Sequence, residues 1–208
     1  MEGKILKIKV CGMLHPEKIA TVAKLQPDYM GFIFYDKSPR YAASLDPSAL
    51  PPNIRRVGVF VDTPAKQILH TAERYGLHTL QLHGNESPET CSRLRTAGYE
   101  VIKVFSVERE ADLMKTVFYD ESCDLFLFDT RTPGHGGSGR RFDWNILDAY
   151  TGKTPFLLSG GISPFDADEI LKIDHPMLYG IDLNSRFEIE AGLKNTELLE
   201  RFIKTIRS

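Results

Sequence analysis

The chain has 208 residues, of which 42% are hydrophobic and 26% charged, so it can form one globular domain with a sizeable core. Its formal net charge of -2 and its pI near 6.3 lack the basic surplus of a general nucleic-acid binder. The cysteines Cys11, Cys91 and Cys123 lie far apart without a CxxC pair, which argues against a disulfide framework or a zinc cluster and favours a reducing cytoplasm.

Eight short apolar, β-rich runs recur along the chain and predict strands. In chain order they are ILKIKV (5–10), YMGFIF (29–34), RRVGVFV (55–61), TLQLH (79–83), EVIKVF (100–105), DLFLFD (124–129), PFLLSG (155–160) and LYGIDL (178–183). Charges recur every few positions in the first residues, and no run is long enough to cross a bilayer. We therefore expect neither a signal peptide nor a membrane partner.

Segments with helical spacing separate most of these runs. AKQILHTAERYG (65–76) has one apolar side and ends on Gly76, a typical helix stop. SPETCSRLRTAG (87–98) begins with Ser87 as the expected N-cap and Pro88 at the first helical position. NTELLERFIKTI (195–206) predicts a last helix, whereas the connection after the second run supports only a short one.

Strand and helix alternate roughly every 26 residues (208 over eight units), and no shift in composition marks a domain boundary. This alternation predicts a parallel sheet with helices outside it. We therefore predict an α/β fold, a single (β/α)8 TIM barrel with a closed eight-stranded parallel sheet, over residues 1–208. An open sheet with fewer strands is the alternative.

In such a barrel the active site lies at the C-terminal ends of the strands, so polar residues that end the apolar runs are the candidates. Cys11 ends the first run and is either an inert buried thiol or a reactive one, if a positive group lowers its pKa. Asp129 ends the sixth run and is either a turn cap or a proton donor whose pKa is raised by burial. The two would face each other across the barrel mouth, where one can give a proton and the other take one.

A phosphate site is predicted after the seventh and eighth runs. Gly160 and Gly161 form a short turn whose backbone N–H groups can bind an anion, although two glycines also suit a tight turn without a ligand. Asn184 and Ser185 follow the eighth run, and the loops after these two strands are the recurring phosphate site of such barrels. Asp182 can accept a hydrogen bond from a substrate amine or hydroxyl, or act as a structural cap.

Arg40, His83 and two lysines within strands each allow two interpretations. Arg40, after the rigid Pro39, suits a carboxylate ligand, although a surface arginine is the simpler interpretation. His83 could titrate near neutrality or merely hydrogen-bond. Lys9 and Lys103 lie within strands, where a charge satisfied at the barrel end is favoured over a Schiff base. No Walker or GxGxxG pattern and no metal-ligand spacing is present, so no metal site is predicted.

The stretch after Asp129, TRTPGHGGSGRRFDW, holds four glycines between 134 and 139. A connection alone does not need so much backbone freedom. One interpretation is an ordinary turn capped by Asp129 and followed by a flexible loop. The other is a mobile loop that closes over a catalytic carboxylate and excludes water.

Seven motifs occur in order along the whole chain: KVCGM, GFIFYDKSPRY, VGVFVD, LQLHGNE, LFDT…GGSGRRFDW, LSGGI and GIDLNSRFE. Together they closely resemble the phosphoribosylanthranilate isomerase family of tryptophan biosynthesis. The resemblance implies a cofactor-free (β/α)8 enzyme that performs an Amadori rearrangement of N-(5-phosphoribosyl)anthranilate to 1-(2-carboxyphenylamino)-1-deoxyribulose 5-phosphate.

By motif, the resemblance implies Cys11 as the general base and Asp129 as the general acid. It implies Arg40 as the residue that holds the anthranilate carboxylate. It places Asp182 near the substrate amine and His83 at a motif position of unsettled role. Gly160, Gly161, Asn184 and Ser185 match the phosphate-binding turns. The chain departs from the family where Asn184, Ser185 and Arg186 replace the usual Ser-Ser-Gly, and where CGML replaces CGIT.

The alternatives are another sugar-phosphate barrel enzyme and, in a different functional class, a barrel without catalytic activity. An indole-glycerol-phosphate synthase would need a catalytic lysine and glutamate set, and a ribulose-phosphate epimerase paired metal-binding histidines and aspartates; neither set is visible. A non-catalytic barrel that only binds a phosphorylated ligand would have no chemical reason to keep Cys11 and Asp129. The expected partner is a phosphorylated aminosugar that carries anthranilate, with no nucleic acid, and the protein is a monomer or a homodimer.

Overall fold

The computed structural model describes residues 5–42, 44–130 and 141–208. Its eight parallel strands close into a barrel in chain order, because β1 pairs with both β2 and β8. The strands are β1 (Lys7–Val10), β2 (Tyr29–Ile33), β3 (Arg55–Phe60), β4 (Thr79–Leu82), β5 (Glu100–Val107), β6 (Leu125–Thr130), β7 (Phe156–Leu158) and β8 (Leu178–Leu183). Each overlaps a predicted run, so the closed barrel is confirmed and the open-sheet alternative is wrong.

Helical segments lie between the strands. The α-helices are α1 (Pro16–Ala23), α2 (Ala65–Tyr75), α3 (Pro88–Thr96), α4 (Ala167–Ile170) and α5 (Thr196–Arg207). The predicted ends of α2 and α3 are confirmed: Gly76 is left-handed at the C-cap of α2, and the Ser87 side chain accepts from the Thr90 N–H. Other connections form 310 helices instead, at Pro47–Ala49, Glu110–Phe118, Trp144–Ala149 and Ser185–Phe187.

Two apolar clusters occupy opposite faces of the barrel wall. The smaller one fills the barrel interior and contains Tyr29, Val57, Ile102, Val104, Leu125, Leu127 and Leu157. The larger one contains the alternate strand residues, such as Ile8, Phe32 and Phe126, together with the buried sides of the helices. Because side chains alternate across a strand, the inward positions of β6 are Leu125, Leu127 and then Asp129. The same alternation turns Lys9 and Cys11 inward.

A small antiparallel hairpin follows the barrel. It consists of β9 (Glu188–Glu190) and β10 (Leu193–Lys194), and it lies between β8 and the last helix α5. The sequence did not predict it. Phe187, which precedes the hairpin, is fully buried and packs edge-on against Phe202 of α5 at 5.0 Å between ring centroids. This contact fixes the start of the hairpin at the carboxyl end of β8.

The sequence predicts no membrane span, and it predicts a closing loop at Gly134 to Gly139. No helix that the structure describes combines the length and apolar character needed to span a bilayer. The predicted closing loop, Gly134 to Gly139, lies outside the described residues.

Candidate active site

Polar side chains line the carboxyl end of the barrel on the inward register of the strands. Cys11 follows β1, His83 follows β4, and Ser159 follows β7, while Asp129 and Asp182 occupy the ends of β6 and β8. Asp129, Ser159 and Asp182 are buried, and so is Cys11. The acidic and sulfur-containing candidates therefore share one enclosed end of the barrel.

Asp129 is the most strongly perturbed carboxyl at this end. Its pKa is raised to about 7: burial is the largest cause and the charge of Asp182 adds to it, while the Thr130 N–H and the Lys9 ammonium act in the opposite direction. The Thr130 N–H donates to Oδ1 at 2.9 Å. The predicted rise by burial agrees with this value, and near pH 7 a substantial fraction of Asp129 carries a proton.

The Cys11 thiol is also enclosed, at 3% exposure. Burial raises its pKa, the charge and hydrogen bond of Lys9 oppose this rise, the charge of Asp182 adds to it, and the charge of Lys194 opposes it. Gly31 on β2 gives the sulfur its space, since a Cβ there would lie 2.7 Å from Sγ. The pKa of the thiol is therefore raised and not lowered as expected for a reactive thiol, because burial outweighs the nearby ammonium groups.

A buried ion pair bridges the first and last strands beneath these two groups. Lys9 Nζ donates to Asp182 Oδ1 at 2.8 Å, and Ser159 Oγ donates to Asp182 Oδ2 at 3.4 Å. Burial lowers the pKa of Lys9, but Asp182 and Cys11 together outweigh burial and leave it raised. Lys9 is therefore a satisfied ammonium, as favoured from the sequence. Lys103 is satisfied in the same way, by Glu86 at 3.1 Å and by backbone carbonyls.

His83 lies beside Asp129, with Nε2 3.5 Å from Asp129 Oδ2. This separation lies within the range of an ion pair or a long hydrogen bond. His83 thus contacts the candidate acid.

Gly160 brings the turn after β7 against the same carboxyl. A Cβ at Gly160 would lie 2.5 Å from Thr130 N and 3.0 Å from Asp129 Oδ1. Both Gly160 and Gly161 have positive φ, +85° and +70°, which other residues adopt only at a cost. The turn is therefore specific to glycine and ends beside the Asp129 side chain. That is compatible with an anion site formed by backbone N–H groups.

Asn184 and Ser185 continue from β8, the strand that pairs with β7. Asn184 Oδ1 accepts from the fully buried Lys194 Nζ at 2.8 Å, so its side chain is fixed. Ser185 is half-buried and begins the 310 turn Ser185–Phe187. Asn184, which replaces a serine of the family pattern, therefore has a defined partner.

Arg40 approaches Asn184 over Gly12. A Cβ at Gly12 would lie 2.6 Å from Arg40 Cδ and 2.7 Å from Asn184 Oδ1. The Arg40 guanidinium donates to the Glu188 carboxylate, through Nε at 3.0 Å and Nη2 at 2.6 Å. Glu188 also accepts from Lys194 at 2.6 Å. The arginine is therefore a half-buried, paired residue rather than the surface residue of the simpler interpretation.

The structure brings all nine predicted site residues to the same end of the barrel. Asp129 contacts His83 and the Gly160–Gly161 turn, and Lys9 with Asp182 acts electrostatically on both Cys11 and Asp129. Arg40, Asn184 and Ser185 form a second group, joined to Cys11 through Gly12. The sequence did not single out Glu188 and Lys194. Among the described residues, no cluster of His, Cys, Asp or Glu is arranged to hold a metal ion.

Comparison with known proteins gives one consistent result. Residues 8–205 match the family model described as N-(5'phosphoribosyl)anthranilate (PRA) isomerase. The N-(5'-phosphoribosyl)anthranilate isomerase of Phocaeicola vulgatus is 49% identical over 200 residues, which cover 96% of this chain and 97% of the relative.

Solved structures agree with the family match. A phosphoribosyl anthranilate isomerase in complex with reduced 1-(o-carboxyphenylamino)-1-deoxyribulose 5-phosphate superposes with a TM-score of 0.80 at 30% identity, covering 97% of this chain and 98% of the other. A structure of mutually generated monomers of the dimeric enzyme from Thermotoga maritima gives a TM-score of 0.78 at 30% identity, with 97% and 98% coverage.

Proposed function

The chain belongs to the N-(5'-phosphoribosyl)anthranilate isomerase family, and from this membership we propose that Cys11 and Asp129 are the base and the acid of its reaction. The protein is an isomerase of tryptophan biosynthesis. It converts N-(5-phosphoribosyl)anthranilate to 1-(2-carboxyphenylamino)-1-deoxyribulose 5-phosphate by an Amadori rearrangement. The observation that carries the assignment of the acid is the buried Asp129 carboxyl, whose pKa is raised to about 7.

Ring opening is the first step and needs a proton donor. The furanose ring oxygen takes a proton from the Asp129 carboxylic acid as the bond between this oxygen and C1 breaks. The lone pair of the anthranilate nitrogen then forms a C1=N double bond, which gives a protonated Schiff base. A carboxyl with its ordinary pKa would be almost fully ionised at pH 7, so the raised pKa supplies the protonated acid.

Proton abstraction from C2 is the second step. The Schiff base draws electrons away from C2, and the Cys11 thiolate removes the C2 proton to give an enolamine. The electron pair of the broken bond becomes the C1=C2 double bond. Tautomerisation, with protonation at C1, yields the ketone. Lys9 and Lys194 favour the thiolate electrostatically, and they partly offset the cost of its burial.

The remaining predicted residues hold the substrate at its two charged ends. Arg40 would bind the anthranilate carboxylate through its planar guanidinium. The Gly160–Gly161 turn, with Asn184 and Ser185, would bind the phosphate. Asp182 would accept a hydrogen bond on the amine side. Position supports the assignments of the glycine turn and of Arg40: the turn lies at Asp129, and Arg40 lies at Gly12, next to Cys11.

The decisive experiment follows the fluorescence decay of phosphoribosylanthranilate when the purified protein is added. Wild type should accelerate the decay, and Cys11→Ser and Asp129→Asn should each remove most of this activity. Cys91→Ala is the matched control, because Cys91 is equally buried but lies in α3, away from the barrel mouth. Full activity in Cys11→Ser or Asp129→Asn would refute the residue assignment. Absence of activity in wild type would instead favour a barrel that only binds its ligand.

The wider setting follows from the same proposal. The partner would be the phosphorylated aminosugar substrate, without nucleic acid, and the protein would work in the cytoplasm. Its assembly would be a monomer or a homodimer; one related structure describes monomers generated from a dimeric enzyme. Light scattering on the purified chain distinguishes the two states.

A further inference from the structure

Glu188 of the hairpin holds Arg40 from a single side. Its carboxylate accepts from Arg40 Nε at 3.0 Å and from Arg40 Nη2 at 2.6 Å. The exposed fractions of the two side chains are 12% for Arg40 and 3% for Glu188, so the pair is shielded from water. A two-point contact of this kind fixes the plane of a guanidinium as well as its place.

The Glu188 carboxylate is itself held in place by the hairpin. Lys194 Nζ donates to Oε1 at 2.6 Å, and the Gly192 N–H donates to the same oxygen at 3.2 Å. Lys194, which is fully buried, also donates to Asn184 Oδ1 at 2.8 Å. A rigid chain of contacts therefore runs from Asn184 through Lys194 and Glu188 to Arg40.

The contact with Glu188 uses only one edge of the Arg40 guanidinium. A guanidinium has two edges that can each bind a carboxylate, and Glu188 occupies the edge formed by Nε and Nη2. The second edge is formed by Nη1 and the remaining hydrogen of Nη2. Because the Arg40 Cδ would lie 2.6 Å from a Cβ on Gly12, this arginine sits beside the residue that follows Cys11.

We propose that Glu188 is a positioning and specificity-determining residue: it fixes Arg40 through one edge so that the other edge selects a substrate carboxylate. This inference rests on the proposed function, in which Arg40 binds the anthranilate carboxylate. Lys194 in turn holds Glu188 in place. Without Glu188, Arg40 would populate several rotamers, and the entropic cost of ordering it would reduce the affinity for the carboxylate.

Binding of a matched ligand pair tests the proposal without relying on turnover. One ligand is reduced 1-(o-carboxyphenylamino)-1-deoxyribulose 5-phosphate, and the other is the same compound without its carboxyl group. The ratio of their dissociation constants, measured by calorimetry, isolates the contribution of the carboxylate. In wild type the carboxylated ligand should bind more tightly, and Arg40→Gln should abolish most of this preference.

Glu188→Gln should reduce the preference about tenfold or more and leave the affinity for the ligand without a carboxyl group within about threefold, as expected for a misoriented partner. Glu188→Asp keeps the charge next to Lys194 and should recover the fold if Glu188→Gln is unstable, yet it should still lose preference. In the double variant with Arg40→Gln, the loss should not exceed that of Arg40→Gln alone, because both residues act on one contact.

Glu100→Gln is the control for loss of a glutamate–arginine pair. Glu100 on β5 pairs with Arg55 on β3 at 2.7 Å, at the amino ends of the strands. Its replacement should therefore leave the affinities for both ligands unchanged. Equal weakening of both ligands in the Glu188 variants, or additive losses in the double variant, would overturn the proposal. A wild type without preference for the carboxylated ligand would overturn it together with the role of Arg40. A wild type that shows the preference but no isomerase activity would overturn the proposed function alone.

Discussion

Lys9 and Asp182 form a buried ion pair across the junction of the first and last barrel strands, with Lys9 Nζ 2.8 Å from Asp182 Oδ1. Lys9→Met keeps the volume but leaves Asp182 as a buried carboxylate without its ammonium partner. We expect a loss of about 3–5 kcal/mol in the free energy of unfolding. Urea denaturation measures it. The double variant with Asp182→Asn should recover much of this stability but little activity, and an unchanged single variant would contradict the expectation.

The pH dependence of kcat/KM should reflect two raised pKa values. The active form needs a protonated Asp129, with a pKa of about 7, and an ionised Cys11, whose pKa is raised by burial. The form with one proton on the pair is most abundant between these two pKa values, so kcat/KM should rise through pH 7 and fall only in the alkaline range. Steady-state rates corrected for spontaneous substrate decay test this. A fall in kcat/KM that begins at pH 7 would contradict the raised pKa of Cys11.

Asp129→Asn should stabilise the protein while it removes activity. An unfolded aspartate ionises near pH 3.9, whereas Asp129 ionises near 7 in the fold, so wild type binds more protons when folded and loses stability as the pH rises from about 4 to 7. Asparagine does not ionise, so the variant should exceed wild type by up to about 4 kcal/mol at pH 8 and by about 1.5 kcal/mol at pH 5.

The pH dependence of this stability difference is the measurement that matters. Asp124→Asn serves as the control, because Asp124 pairs with Arg95 at 2.8 Å and accepts from the Val101 N–H, so its replacement removes stabilising contacts. A stability gain in Asp129→Asn that is the same at pH 5 and pH 8 would show that ionisation of this carboxyl is not its source.

The Gly160→Ala variant separates backbone strain from crowding. Gly160 has φ +85° and no space for a Cβ beside Thr130 N, whereas Gly98 has φ +94° and open space around its Cβ position. Gly98→Ala should cost only the backbone term, about 1–2 kcal/mol. Gly160→Ala should cost clearly more and raise KM for the phosphorylated substrate. Equal losses in the free energy of unfolding of the two variants would mean that the turn after β7 shifts to accommodate a Cβ without further cost.

Much of the barrel could be predicted from the sequence because its strands are covered on both faces and therefore appear as continuous apolar runs. The helix ends at Gly76 and Ser87 were predictable for a different reason, since caps depend on single residues with specific chemistry. The 310 segment Glu110–Phe118 has no comparable signal. The hairpin was missed because strands of three and two residues are too short to show a period.

The candidate site was predictable in position more than in electrostatics. Strand alternation alone turns Asp129 inward and explains why its raised pKa could be foreseen. The direction of the pKa shift at Cys11 depends on the balance between burial and two nearby ammonium groups. The distances that decide this balance are known only once the chain is folded. Glu188 was missed because its partner Arg40 is 148 residues away along the chain.

Closure of the barrel between β1 and β8 sets a condition on synthesis of the protein. The first strand, with Lys9 and the sulfur of Cys11, leaves the ribosome long before residues 178–183 exist to pair with it. Until then β1 lacks its β8 neighbour, and Lys9 lacks its partner Asp182. The barrel mouth can therefore be completed only after the eighth strand has been synthesised and paired.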